Sequence, residues 1–124
     1  MGVRAVLDTN AVIYLQKGWL EVPLPLGEYF ISVITEIELL SFAGLEEAQK
    51  GKLLRLIEDM EVIDIDQAVK HCAITLRRDH RLKLPDALIA ASALTRDAVL
   101  VTNDNQLAKI PGIRCQTLKL RTLR

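Results

Sequence analysis

Ligands for a structural zinc are scarce in this chain. Its 124 residues include two cysteines and two histidines, and Cys72 and Cys115 lie in separate segments without metal-type spacing. Cysteines placed so read as small core residues of a protein kept in a reducing compartment. An excess of either charge is also lacking, because 16 Lys and Arg stand against 16 Asp and Glu. That balance excludes the broad cationic surface of a general nucleic-acid coat protein and leaves room only for a local basic patch. No apolar run is long enough to span a bilayer; the longest lies at residues 87–94. No secretory leader precedes Val3 and no internal repeat is evident, so the expected location is the cytoplasm.

Half of the residues are hydrophobic, which suits one globular domain spanning 1–124. Residues 3–7 form an apolar, β-branched strand interrupted by Arg4. Asp8-Thr9-Asn10 breaks it, and residues 11–16 read as a short helix that Thr9 or Asn10 would cap. Asp8 then fits either a turn or a carboxylate at the C-terminal end of a strand, where open α/β sheets bind ligands. Residues 18–27 are a loop by their Pro and Gly content, yet they hold the chain's one Trp. That loop either folds back over the core or offers a surface to a partner. Residues 29–32 read as a second strand, and 33–44 as a helix stopped by Gly44. Its apolar face is Val33, Ile34, Ile37 and Leu40, with Glu36 and Glu38 on opposite edges. Neither glutamate has a basic residue three or four positions away, and periodicity does not choose between them.

Residues 46–60 form a third helix packing through Leu53, Leu54, Leu56 and Ile57, followed by a strand at 61–65. Asp66 caps a helix over 67–79, which carries His71 as a core-edge or surface residue. Arg77-Arg78-Asp79-His80-Arg81-Leu82-Lys83 is the densest cationic stretch, either a solvated helix end or a contact for phosphate. Pro85 then opens a helix that is apolar on every side, with Asp86 stranded in its first turn. Asp86 either favours the helix dipole or awaits a metal ion. Residues 98–102 have the composition of a fully buried parallel strand, and Asp104 follows it as Asp8 follows the first. An edge strand at 114–117 and a solvated basic tail of Lys119, Arg121 and Arg124 complete the chain.

Alternating strands and helices imply an α/β domain with a mainly parallel sheet, whose strand C-termini share one edge. That edge would gather Asp8, Asp104 and the helix-borne Glu38 and Asp86. Packed carboxylates repel one another unless a cation neutralises them. Oxygen donors select Mg²⁺ or Mn²⁺, ions that grip phosphate oxygens and activate water for in-line displacement. Phosphodiester hydrolysis is the chemistry such a site suits.

The motifs Asp8-Thr9-Asn10, Ser32-Val33-Ile34-Thr35-Glu36-Ile37-Glu38-Leu39, Leu84-Pro85-Asp86-Ala87-Leu88-Ile89-Ala90-Ala91 and Leu100-Val101-Thr102-Asn103-Asp104 occur here in that order. Together the chain resembles the PIN-domain nucleases, most closely the VapC-type toxins of toxin–antitoxin pairs. The resemblance implies a three-layer sandwich, with a mainly parallel sheet of four to five strands and helices on both faces. It selects Glu38 over Glu36, since the family's acid follows a Thr by three positions and precedes Leu. It makes Asp8, Glu38, Asp86 and Asp104 the catalytic ligands of Mg²⁺ or Mn²⁺, supported through hydrogen bonds by Asn10 and Thr102. One departure is Leu107, which stands before Ile110-Pro111-Gly112 where the family often has Phe. The expected activity is RNA cleavage, with Arg77, Arg78, Arg81 and Lys83 steering phosphate. The expected partners are an antitoxin whose tail covers the cleft and a second copy of the chain; the Trp19–Leu26 loop and the first two helices are candidate contacts. Two other classes compete. One is an RNA-binding module on the same scaffold that no longer cuts. The other is an aspartyl-phosphate phosphatase or receiver, which Asn10 opposes by filling the place of a second acid two residues past Asp8.

Overall fold

In the computed structural model, which describes residues 2–122, strands and helices alternate along most of the chain. The strands are β1 (Val3–Leu7), β2 (Gly27–Ser32), β3 (Glu61–Ile63), β4 (Val99–Val101) and β5 (Cys115–Gln116). The helices are α1 (Thr9–Gln16), α2 (Val33–Leu40), α3 (Glu47–Glu58), α4 (Gln67–His80), α5 (Leu84–Thr95) and α6 (Asn105–Ala108). The strands form one sheet in the order β3-β2-β1-β4-β5, and every pairing in it is parallel. Gly27 opens β2 so close to Val3 that any Cβ there would lie 2.3 Å from the Val3 carbonyl oxygen.

Alternation along the strands divides the core into two layers. Val6, Phe30, Ile63 and Leu100 pack against α4, α5 and α6. Ala5, Leu7, Ile31 and Val101 pack on the other face against α1, α3 and Leu39 of α2. The result is the expected three-layer α/β sandwich with five strands. Helix α5 is buried from Ala87 to Ala93, as its lack of a polar face predicts. Leu107 is 2% exposed within the α4–α5 layer, so the aliphatic residue fills the core there.

Several expectations are corrected. Helix α1 begins two residues early, because Asp8 and not Thr9 or Asn10 is its cap. Helix α2 stops at Leu40, and Gly44 falls in the following turn. Its hidden face carries Thr35 and Leu39, while Ile37 is 56% exposed. Ile34 and Leu40 of the expected face do pack against the core, and Thr35 joins the buried side because its hydroxyl has a partner there, at Thr9. On α3, Leu54 faces outward beside the buried Leu53 and Ile57. The chain around Lys119 and Arg121 is not a free tail: their backbones pair with Glu21 and Trp19, and Leu20 bridges to Leu120. Arg124 lies outside the described residues. The Trp19 loop therefore folds back, with Trp19 stacked on Tyr14 and only Val22 and Leu26 among its large aliphatic groups fully exposed. Among the described residues no helix is long and apolar enough to cross a membrane.

Candidate active site

Parallel pairing puts the C-terminal ends of all five strands on one edge. The chain runs outward from β1 to β2 to β3, then returns to place β4 on the other side of β1. Between β1 and β4 the order reverses, and such a switch point leaves a crevice at the strand C-termini. Asp8 leaves β1 and Asp104 follows β4 at this point, with the Asp8 N–H donating to the Val101 carbonyl at 3.1 Å. Helix α5 leads back to the start of β4, so its first turn, carrying Asp86, lies at the same edge.

Each carboxylate is positioned by local structure. Asp8 is 8% exposed, and its Oδ1 accepts from the Ala11 N–H at 2.8 Å, capping α1. Asp104 caps α6 in the same way, its Oδ1 accepting from the Gln106 N–H at 2.8 Å. The fully buried Thr102 accepts the Asp104 N–H at 3.0 Å. Glu38 Oε1 accepts from the Thr9 hydroxyl at 2.7 Å, and Thr9 also meets Thr35 at 3.0 Å. No hydrogen bond from the described residues reaches Oδ2 of Asp104 or Oε2 of Glu38.

Asp8, Asp86 and Asp104 lie near enough for their charges to bear on one another, and the Glu38 charge bears on Asp86. Burial pushes the Asp8 carboxyl above its ordinary range; the Thr102 hydroxyl and Ala11 amide oppose the shift, and the charges of Asp104 and Asp86 add to it. Burial likewise raises the Asp86 carboxyl, with Asp104 and Glu38 adding to the rise and Lys83 opposing it. The Cys115 thiol is pushed up by burial and by the Asp8 charge. Among the described residues none of these four acids forms an ion pair, since the pairs present are Arg4–Glu28, Arg78–Asp79, Arg114–Asp97 and Lys119–Glu21. The uncompensated charge and the all-oxygen donor set fit a hard divalent cation. Among the described residues, however, no group of three or more His, Cys, Asp or Glu side chains is placed so that it could hold a metal ion. Glu38 and Asp104 are exposed, and each has one carboxylate oxygen without a hydrogen bond from the described residues.

The PIN domain family pattern matches residues 5–113. The chain belongs to the PIN domain family. A relative of this PIN domain, "Ribonuclease VapC4" of Mycobacterium tuberculosis, is 29% identical over 126 residues, covering 93% of this chain and 97% of that one. Among solved structures, a toxin–antitoxin complex from Klebsiella pneumoniae superposes with a TM-score of 0.71 at 28% identity, covering 88% of this chain and 94% of that one. VapBC-1 from nontypeable Haemophilus influenzae gives a TM-score of 0.73 at 27% identity, covering 91% and 96%. This PIN domain is thus homologous to VapC-type toxins.

The remaining residues singled out in the sequence have varied surroundings. Asn10 is exposed on the first turn of α1, without a side-chain partner among the described residues. Arg77 donates from Nε to the Leu82 carbonyl at 3.2 Å, which ties down the turn between α4 and α5. Arg78 pairs with Asp79 at 3.0 Å. Arg81 and Lys83 are exposed on that turn, and the Lys83 charge reaches Asp86. Sequence reasoning missed Thr9 as the residue that holds Glu38. The available signal was Thr35, a hydroxyl one helical turn before Glu38 on the buried side.

Proposed function

We propose that this PIN domain is a Mg²⁺- or Mn²⁺-dependent endoribonuclease and the toxin of a toxin–antitoxin pair. The observation that carries this reading is that Asp8, Glu38, Asp86 and Asp104 lie toward one sheet edge, their charges bearing on one another, with none of them in an ion pair among the described residues. The relative named a ribonuclease, similar over nearly the whole chain, supports RNA as the substrate. When bound, the ion would supply positive charge for phosphate oxygens and acidify a water. The chain's own residues do the rest. The buried Asp8, the half-buried Asp86 and the exposed Glu38 and Asp104 are the residues that would hold the ion. Thr9 aims Glu38, and Thr102 steadies both Asp8 and the Asp104 backbone. Lys83 and Arg81 draw the strand toward the cleft.

A groove of about 330 Å³ between α1, α2 and α3 begins at Thr9 and Glu38 and runs past Ile13 and Lys17 toward Phe42. Phe42 is 68% exposed beside it. The antitoxin tail would sit in this groove, next to the acids it would cover, and a second copy of the chain completes the assembly as a homodimer. The similar structures that are toxin–antitoxin and VapBC assemblies support that partner.

The test is cleavage of RNA by purified protein in Mg²⁺ or Mn²⁺. Cleavage is expected for the wild type and lost in EDTA, in Asp8→Asn and in Asp86→Asn. Cleavage that persists in all three would remove the metal mechanism. RNA binding without turnover across a wide metal screen would establish the silent binding module instead.

A further inference from the structure

Beside the acid cleft, on the side away from the α1–α3 groove, lies a second cavity of about 360 Å³ with a different character. Its lining is His80, Arg81 and Leu82 from the α4–α5 turn, and Gln106, Lys109 and Ile110 from α6 and the residues after it. Leu82 and Ile110 are 8% and 4% exposed and make an apolar floor. The rim holds three basic side chains and an amide, and no acid. Asp79, the nearest acid in sequence, pairs with Arg78 at 3.0 Å, and its charge also bears on His80.

We infer that this cavity is a phosphate subsite that grips the RNA strand next to the bond being cut. The inference rests on the ribonuclease reading for the identity of the strand, but its chemistry is independent of it. Arg81 offers a planar fork of N–H donors, Lys109 a mobile ammonium, His80 an imidazole N–H in either protonation state, and Gln106 an amide NH₂. Every one of these groups can donate to phosphate oxygens. The apolar floor lowers the local dielectric and strengthens the attraction for an anion.

Two observations connect the cavity to the acids of the cleft. The Gln106 backbone N–H bonds Asp104 Oδ1 at 2.8 Å, so one wall of the cavity starts at an acid of the cleft. On the other wall, Lys83 follows Arg81 by two residues and its charge reaches Asp86. A phosphodiester held by Arg81 and Lys109 therefore neighbours the cleft on both sides. Arg81 itself sits at φ 55, the left-handed conformation at a helix end that glycine adopts more easily. The site carries a guanidinium where backbone geometry alone favours no side chain.

This subsite is tested with a fluorescein-labelled single-stranded oligoribonucleotide, read by anisotropy at several salt concentrations without added divalent ion. Arg81→Gly and Lys109→Gln are each expected to weaken binding about three- to tenfold and to flatten the salt dependence by roughly 0.7 per charge removed. Arg81→Gly keeps or raises the melting temperature, because glycine suits that backbone. Lys52→Gln, on α3 across the sheet, is the control and binds as wild type. In cleavage assays the two subsite variants raise KM by the same factor and leave kcat within about twofold. Wild-type affinity and salt dependence in both variants, or an equal loss in Lys52→Gln, would overturn the subsite. So would variants that lose affinity for inorganic phosphate but not for the oligoribonucleotide. If wild-type protein never cuts RNA yet both variants lose binding, the ribonuclease reading fails and the subsite stands. Asp8-dependent cleavage with unaltered RNA binding in both variants leaves the ribonuclease standing and removes the subsite.

Discussion

Thr9 donates its hydroxyl proton to Glu38 across 2.7 Å. A hydroxyl has one proton to give, so the 3.0 Å contact between Thr9 and Thr35 is then a donation from Thr35 to Thr9. Thr35 is fully buried, and this chain of two hydroxyls carries its hydrogen bonding out to a carboxylate at the cleft. It also fixes α1 against α2 at the point where both leave the sheet. Thr9→Val keeps the shape and removes the link. The expected result is about a tenfold loss of Mn²⁺ affinity or of cleavage rate at limiting Mn²⁺, with Thr9→Ser near wild type. Metal titration of the cleavage rate checks it, and equal Mn²⁺ dependence in Thr9→Val would show that Glu38 needs no positioning.

Asp8 has two jobs that substitution can separate. Its Oδ1 caps α1, which Asn performs as well as Asp, whereas its charge is buried at a cost. Asp8→Asn is therefore expected to raise the melting temperature of the metal-free protein while abolishing cleavage. Asp8→Ala loses the cap, worth about 1 kcal/mol, and leaves the Ala11 N–H without its partner. Thermal melts of both variants in EDTA should place Asn above wild type and Ala below Asn.

The raised Asp8 and Asp86 carboxyls predict a pH dependence with a definite sign. Below the ordinary carboxylate range both are protonated in the folded and unfolded chain, and their contribution is most favourable. As pH rises past that range the unfolded chain releases its protons first, so stability falls until the raised folded values are passed. In EDTA the melting temperature should accordingly decline across this window by an amount that Asp8→Asn reduces. Mg²⁺ or Mn²⁺ at about a hundred times its Kd should restore about 2.7 kcal/mol at neutral pH, or roughly 10 °C. A melting curve indifferent to both ions would count against the cleft as a metal site.

Trp19 and Phe42 make opposite predictions about partner binding. Trp19 stacks on Tyr14 with ring centroids 6.1 Å apart and lies under Lys17, so its role is in the fold. Phe42 stands exposed on the groove that starts at Glu38. If the proposed antitoxin binds this groove, Phe42→Glu should weaken its co-purification by tenfold or more, on the order expected for a buried aromatic anchor. Trp19→Ala should lower the melting temperature and leave that binding unchanged. The reverse pattern would move the interface to the loop.

The sheet was legible in the sequence because β-branched runs and strand-end acids are local features. Strands around Val6, Ile31 and Leu100 were found within a residue or two, and Asp66 caps α4 as its position predicts. The buried face of α2 was legible only in part: Ile34 and Leu40 pack inward as expected, but Ile37 is exposed and Thr35 is hidden. Only the neighbouring Thr9 makes that polar residue cheap to bury. The basic run shows the same division. Its charge is plain in the sequence, but Arg77 serves the turn, Arg78 serves Asp79, and Arg81 lines a cavity together with Lys109, 28 residues away.

By itself, the sequence determined the element types, the all-round burial of α5 and the four acids without local cations, because each follows from residues within a few positions of one another. The tertiary structure alone decided that Thr9 holds Glu38, that Asn10 has no side-chain partner among the described residues, and that a cavity lined by His80, Arg81 and Lys109 opens on the α4–α6 side. Parallel pairing and the reversal of strand order bring together residues that are distant in the chain, and the interactions among charges depend on that distance in space.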